Sequence, residues 1–178
     1  MLMTLLLAGA VGLVIWLSVR SMNREKAARD RKEAILARVK GRHGIEDVFV
    51  STEDGSYVGL SNDGTTLAVG HGNEDRVAPV SDIVAVEGIR DDVVLVRAAR
   101  SGGQDLFPPT SRSPADLPER IRRLGLRVAL EGEDDGRTIL FFDGGKHGVD
   151  PINANFRKQA VETEAWFRKL TNAMRLAS

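Results

Sequence analysis

The sequence predicts an α+β fold, mainly β, behind an N-terminal transmembrane helix. Three observations carry that prediction. The first nineteen residues hold no ionisable side chain. From Ile45 to Phe142 the chain falls into short apolar segments divided by turn residues. The C-terminal segment then repeats apolar side chains at three- and four-residue steps. The boundaries follow: a transmembrane helix over 1–20, a basic helical stalk over 21–42 and a globular domain over 43–178.

The apolar run contains Leu5, Leu6, Leu7, Val11, Leu13, Val14, Ile15, Trp16 and Leu17. Nineteen helical residues span about 28 Å, close to the hydrocarbon thickness of a bilayer. Trp16 stands where an indole suits the interface. A cleaved signal peptide fits less well, because no basic side chain precedes the run and no small-residue pair is placed for cleavage. Residues 20–42 carry nine basic and three acidic side chains, which predicts that this flank stays in the cytoplasm with the N-terminus outside. The expected location is therefore the inner membrane. Ala8 and Gly12 are spaced to let two such helices approach, an expected route to an oligomer.

Ala27, Ala28, Ala34 and Ala37 favour a continuing helix, and Gly41 and Gly44 end it. Its charged surface suits either a solvated spacer or contact with anionic lipid heads through Arg20, Arg24, Lys26, Arg29, Arg31 and Lys32.

Seven strands are expected, over 45–50, 56–60, 65–69, 76–89, 93–99, 126–130 and 138–142. Thr52-Glu53-Asp54-Gly55 and Ser61-Asn62-Asp63-Gly64 are turn signals between the first three. Pro79 implies a sheet edge or a bulge within the long fourth segment. The runs Ile83–Val86 and Val93–Val96 are apolar on both faces and predict a central pair. Leu117–Leu124 suggests a short helix closed by Gly125. The final helix presents Phe156, Ala160, Thr163, Phe167, Leu170 and Met174 on one face, with Trp166 beside it.

Tyr57-Val58-Gly59-Leu60, Asp63-Gly64, Leu67-Ala68-Val69, the stretch Val77–Glu87 and Ala165-Trp166-Phe167-Arg168-Lys169-Leu170 together resemble a bacterial pleckstrin-homology-like (PH-like) domain. The resemblance covers about residues 45–176. It is similar to what small bacterial or prophage proteins carry behind one membrane helix. It implies a half-open barrel of antiparallel strands capped by the C-terminal helix, and a binding module rather than a catalyst. The loop Ser51–Ser56 is acidic where phosphoinositide-binding members are basic, so it would repel a phosphorylated head group.

The chemistry-bearing motifs are few. The chain has no cysteine, which excludes disulfides, thiolate metal sites and a cysteine nucleophile. Gly144-Gly145-Lys146-His147-Gly148 lacks the spacing and the Ser or Thr of a phosphate loop. His71 with Glu74 and Asp75 offers one imidazole and two carboxylates, a thin basis for a metal site. No metal or other cofactor and no catalytic residues are expected. Arg120, Arg122, Arg123 and Arg127 form a basic cluster, a candidate contact for an acidic partner or for lipid phosphates.

The 25 basic and 25 acidic residues of the chain cancel, which argues against a nucleic-acid partner for the whole chain. The balance divides into +6 over 20–42 and −6 over 43–178. The expected function is a non-catalytic binding or scaffold module presented to a cytoplasmic protein. The alternatives are a binder of anionic lipid surfaces, using the stalk and the Arg120–Arg127 cluster, and an enzyme with an unrecognised site.

Overall fold

The structure, a computed structural model, describes residues 2–100 and 119–177. Within the first helix the side chains of residues 2–15, 17, 21 and 24 also lie outside the described set. The elements are α1 (Leu2–His43), β1 (Asp47–Val50), β2 (Ser56–Leu60), β3 (Thr66–His71), β4 (Glu74–Pro79), a 3₁₀ turn (Val80–Asp82), β5 (Ile83–Arg90), β6 (Val93–Ala99), β7 (Arg123–Leu130), β8 (Arg137–Asp143) and α2 (Ala154–Leu176).

The strands form two antiparallel four-stranded sheets, ordered β1-β2-β3-β4 and β6-β5-β7-β8. The first is a plain meander, because Gly55, Gly64 and Gly72 all adopt positive φ at its three turns. The second is not a meander: β5 lies between β6 and β7. Arg90 pairs with Val93 across a two-residue turn in which Asp91 and Asp92 both take positive φ, a conformation that aspartate tolerates.

The core lies between the sheets and α2. Val58, Leu67 and Val69 of the first sheet meet Ile83, Val86, Leu126 and Val128 of the second, with Trp166, Leu170 and Met174 of α2. Phe49 stacks on Phe141 at 3.9 Å, tying β1 to β8. Asn153 caps α2 by accepting the Phe156 N–H at 3.1 Å. Trp166 is only 2% exposed and sits at the centre of the helix's buried face, where periodicity placed it at the flank.

The other face of the first sheet is also covered. Ile35 and Val39 of α1 are buried against Ile45, Val50, Tyr57 and Ala68. Tyr57 and Val58 point to opposite faces of β2, so this strand is buried on both sides.

Several expectations are corrected. Among the described residues no helix is long and apolar enough to cross a membrane. The expected transmembrane helix, the integral single-pass assignment, the inner-membrane location with its orientation, and the oligomer through that helix are overturned on this finding. From Arg20 onward α1 is rich in charged side chains, and its last turns are seated on a sheet. The side chains of Leu5, Leu6, Leu7, Val11, Leu13, Val14, Ile15 and Leu17 lie outside the described set; Trp16 is exposed, with Arg20 5.1 Å from its ring centre.

The strands number eight among the described residues, not seven. The segment 76–89 is divided by the 3₁₀ turn, which moves the chain from one sheet to the other. Pro79 ends β4, an edge strand, where its missing N–H breaks no ladder. β6 is an edge strand, with Leu95 and Val96 about half exposed, and so is not part of a central pair. Of the short helix expected over 117–124, residues 117–118 lie outside the described set and the rest is bend, bridge and strand.

Candidate functional site

A cleft between the β2–β3 turn and the end of α2 holds about 730 Å³. Leu60, Pro79, Ala173 and Leu176 supply apolar lining, while Ser61, Asn62, Asp63, Asp47, Lys169 and Asn172 bring polar groups. The turn that forms one wall is self-supporting. The Ser61 hydroxyl donates to Asp63 Oδ1 at 2.5 Å, and the Thr65 hydroxyl donates to Asp63 Oδ2 at 2.8 Å. These bonds, the Ser61 contact first, hold the Asp63 carboxyl below the usual carboxylate range, so it stays charged at the rim. Lys169 joins the other wall to β1 through Asp47 at 2.8 Å and rests 4.6 Å from the Trp166 ring centre. Leu176 is 90% exposed at the mouth.

A second, polar cleft of about 450 Å³ is lined by Asp91, Asp92, Arg122, Arg123, Asp143, Gly145 and Lys146. Asp91 is turned inward. Its Oδ1 accepts the backbone N–H groups of Arg122 at 2.9 Å and Arg123 at 2.7 Å, which orders the entry to β7. Beside this region Glu53 faces Asp54 and Asp143; burial first, then these two carboxylates, raise its carboxyl above the ordinary value.

A polar clasp holds the end of α1. Arg38 reaches Asp75 at 2.9 Å, Asn73 at 3.0 Å and the Gly72 carbonyl at 2.6 Å. The Tyr57 hydroxyl donates to the same Asp75 carboxylate, with Arg42 at 3.6 Å and His43 at 3.7 Å from it. Burial pushes the Asp75 carboxyl up, but the Tyr57 bond, Arg38 and His43 together bring it below its usual value. Gly70 makes the arrangement feasible, because a Cβ there would collide with the Tyr57 ring and the Glu74 carbonyl.

The basic cluster read from the sequence is divided. Arg122 and Arg123 share the second cleft, Arg120 is exposed outside its lining, and Arg127 turns to the buried Glu87 at 3.4 Å. The pseudo-phosphate loop contributes Gly145 and Lys146 to that same cleft. Among the stalk residues, Arg20, Lys26, Arg29 and Arg31 are exposed and Lys32 is half-buried; Arg29 lies 3.9 Å from Glu25, and the Arg24 side chain is outside the described set. His71 is exposed while Asp75 is committed to the clasp, so the three expected metal donors do not converge. Among the described residues no three His, Asp or Glu side chains are grouped to hold a metal ion.

Sequence reasoning missed Asp47, Lys169, Asn172 and Leu176 as the lining of one cleft. The Asn62-Asp63-Gly64 signal was legible as a turn, but nothing local placed it beside α2. No family model matches the chain, and no match is found among curated proteins or solved structures.

Proposed function

We propose that this chain is a non-catalytic module that binds a short segment of a partner protein in the cleft between the β2–β3 turn and α2. The observation that carries the reading is the make-up of that cleft. An apolar lining that ends in the solvent-exposed Leu176 is rimmed by polar side chains and by an Asp63 carboxylate that stays ionised. Concave apolar surface with a few fixed polar groups is the usual form of a binding site. The segment it suits carries an apolar side chain for the lining and a basic one for Asp63. The resemblance to PH-like domains supports the same reading, since it implies binding rather than catalysis.

Selection of displayed random peptides on the full chain tests this, followed by fluorescence anisotropy on the peptides recovered. The expected result is a set sharing apolar and basic residues, whose affinity falls about tenfold or more in Asn172→Trp, equivalent to about 1.4 kcal/mol. Asn172 is exposed, so the bulky side chain fills the cleft without entering the core. Peptides that bind the variant as tightly as the parent would overturn the proposal.

A further inference from the structure

We infer that the polar cleft at the β5–β6 turn is a separate site, for a phosphoryl oxyanion. The argument begins with ion pairing. The other arginines within the strands, Arg76, Arg90, Arg97, Arg127 and Arg137, each have a carboxylate oxygen at 3.2–3.7 Å. Arg122, Arg123 and Lys146 have none among the described residues, although three aspartates line the same cleft.

Two of those aspartates are already in use. Asp91 accepts the Arg122 and Arg123 backbone N–H groups, and Asp143 accepts the Gly145 N–H at 2.7 Å. Their role is to set the backbone that carries the cations. The loop holding Lys146 is drawn against the start of β7 by paired Ile121 and Val149 backbone bonds, both 2.8 Å, and by the Gly144 N–H to the Arg122 carbonyl at 2.6 Å. Gly148 permits this closeness, since a Cβ there would lie 2.9 Å from the Ile121 carbonyl. Two segments distant in sequence thereby put three exposed cations around one concavity.

The donor set fits a phosphoryl group. Two guanidinium forks and an ammonium match a tetrahedral anion with three terminal oxygens and up to two charges. A carboxylate would leave one of the three cations without a partner. Asp92, exposed in the same cleft, can accept a hydroxyl hydrogen from the remainder of a phosphate ester.

Amide chemical-shift titrations of the full chain at constant ionic strength test the site, with inorganic phosphate, glycerol 3-phosphate and acetate as probes. Saturable shifts centred on Arg122, Arg123, Gly145 and Lys146 are expected with both phosphates, and acetate should bind about tenfold more weakly. Tighter binding of the ester than of free phosphate would assign the site to ester-borne phosphoryl groups, and equal binding to the free anion. The double variant Arg122→Gln, Lys146→Gln should weaken phosphate binding about tenfold or more, while Arg175→Gln, remote on α2, should not. Both altered side chains are exposed, and the same spectra report whether the fold is kept. Shifts that do not saturate, acetate binding equal to phosphate, or an unaffected double variant would overturn the inference.

Discussion

The two helices are seated on the sheets by different means, α2 against β5, β7 and β8 of the second sheet and α1 against the outer face of the first. α2 is seated by apolar contact: Trp166, Leu170 and Met174 enter the cluster that joins both sheets. α1 is seated by two buried side chains, Ile35 and Val39, and by the charged clasp around Asp75. The difference separates a helix that completes the core from one that is fastened to its outside. Trp166, Leu170 and Met174 together remove more apolar surface from water than Ile35 and Val39 do. A clasp of partly exposed ion pairs adds a contribution that depends on pH and salt.

The largest effect that could break this comparison comes from the two anchors. Trp166→Ala should cost about 3–5 kcal/mol, the range for large aromatics removed from a core. Ile35→Ala should cost about 2 kcal/mol, at the low end for an aliphatic truncation, because α1 can detach instead of leaving a cavity. Equilibrium urea unfolding checks both; equal losses would mean that α1 belongs to the same core.

The clasp gives a smaller effect. Asp75→Asn should lower stability by about 1–2 kcal/mol at neutral pH, since Arg38 loses its charged acceptor while remaining half-buried. The Asp75 carboxyl is held low in the folded state, so its stabilisation is present above the ordinary carboxylate value of about 3.9 and is lost as pH falls through the lowered one. The pH dependence of unfolding in Asp75→Asn should therefore be flatter than the parent's on the acid side.

The smallest effect concerns Glu53, whose raised pKa has the opposite sign. Stability falls as pH rises from the ordinary glutamate value through the raised one, because the folded state holds the proton more tightly. Glu53→Gln should raise stability by a few tenths of a kcal/mol at neutral pH after solvent screening. A loss on this substitution would show that the carboxylate has a favourable partner.

Much of the local structure was legible. Asp54-Gly55 and Asp63-Gly64 marked the first hairpins because glycine supplies the positive φ that those turns need. The face of α2 was legible because six positions repeat at helical spacing. The seating of α1 was not, since Ile35 and Val39 are two apolar side chains within a charged run and their partners come from three later elements. The sheet switch at Val80–Asp82 was hidden because Val80 continues an apolar run, and only the Pro79 signal hinted at it. The basic cluster was visible as sequence, yet its division was not. Arg127 is drawn off by Glu87, forty positions away, and Lys146 is brought beside Arg122 by the Ile121–Val149 pairing and the Gly144–Arg122 backbone bond. The expectation of a membrane span came from composition, and no helix among the described residues supports it.

The comparison and the proposed function meet in the wall that α2 provides for the cleft beside the β2–β3 turn. Native-state hydrogen exchange of the full chain, with and without a peptide recovered by selection, reads both at once. Amides of Trp166–Met174 should exchange only with global unfolding, and those of Ile35–Arg42 at a lower free energy. Adding peptide should slow exchange at Ser61–Thr65 and Asn172–Ala177 and leave α1 unchanged. Protection gained in α1 instead, or α1 and α2 exchanging as one unit, would contradict the account.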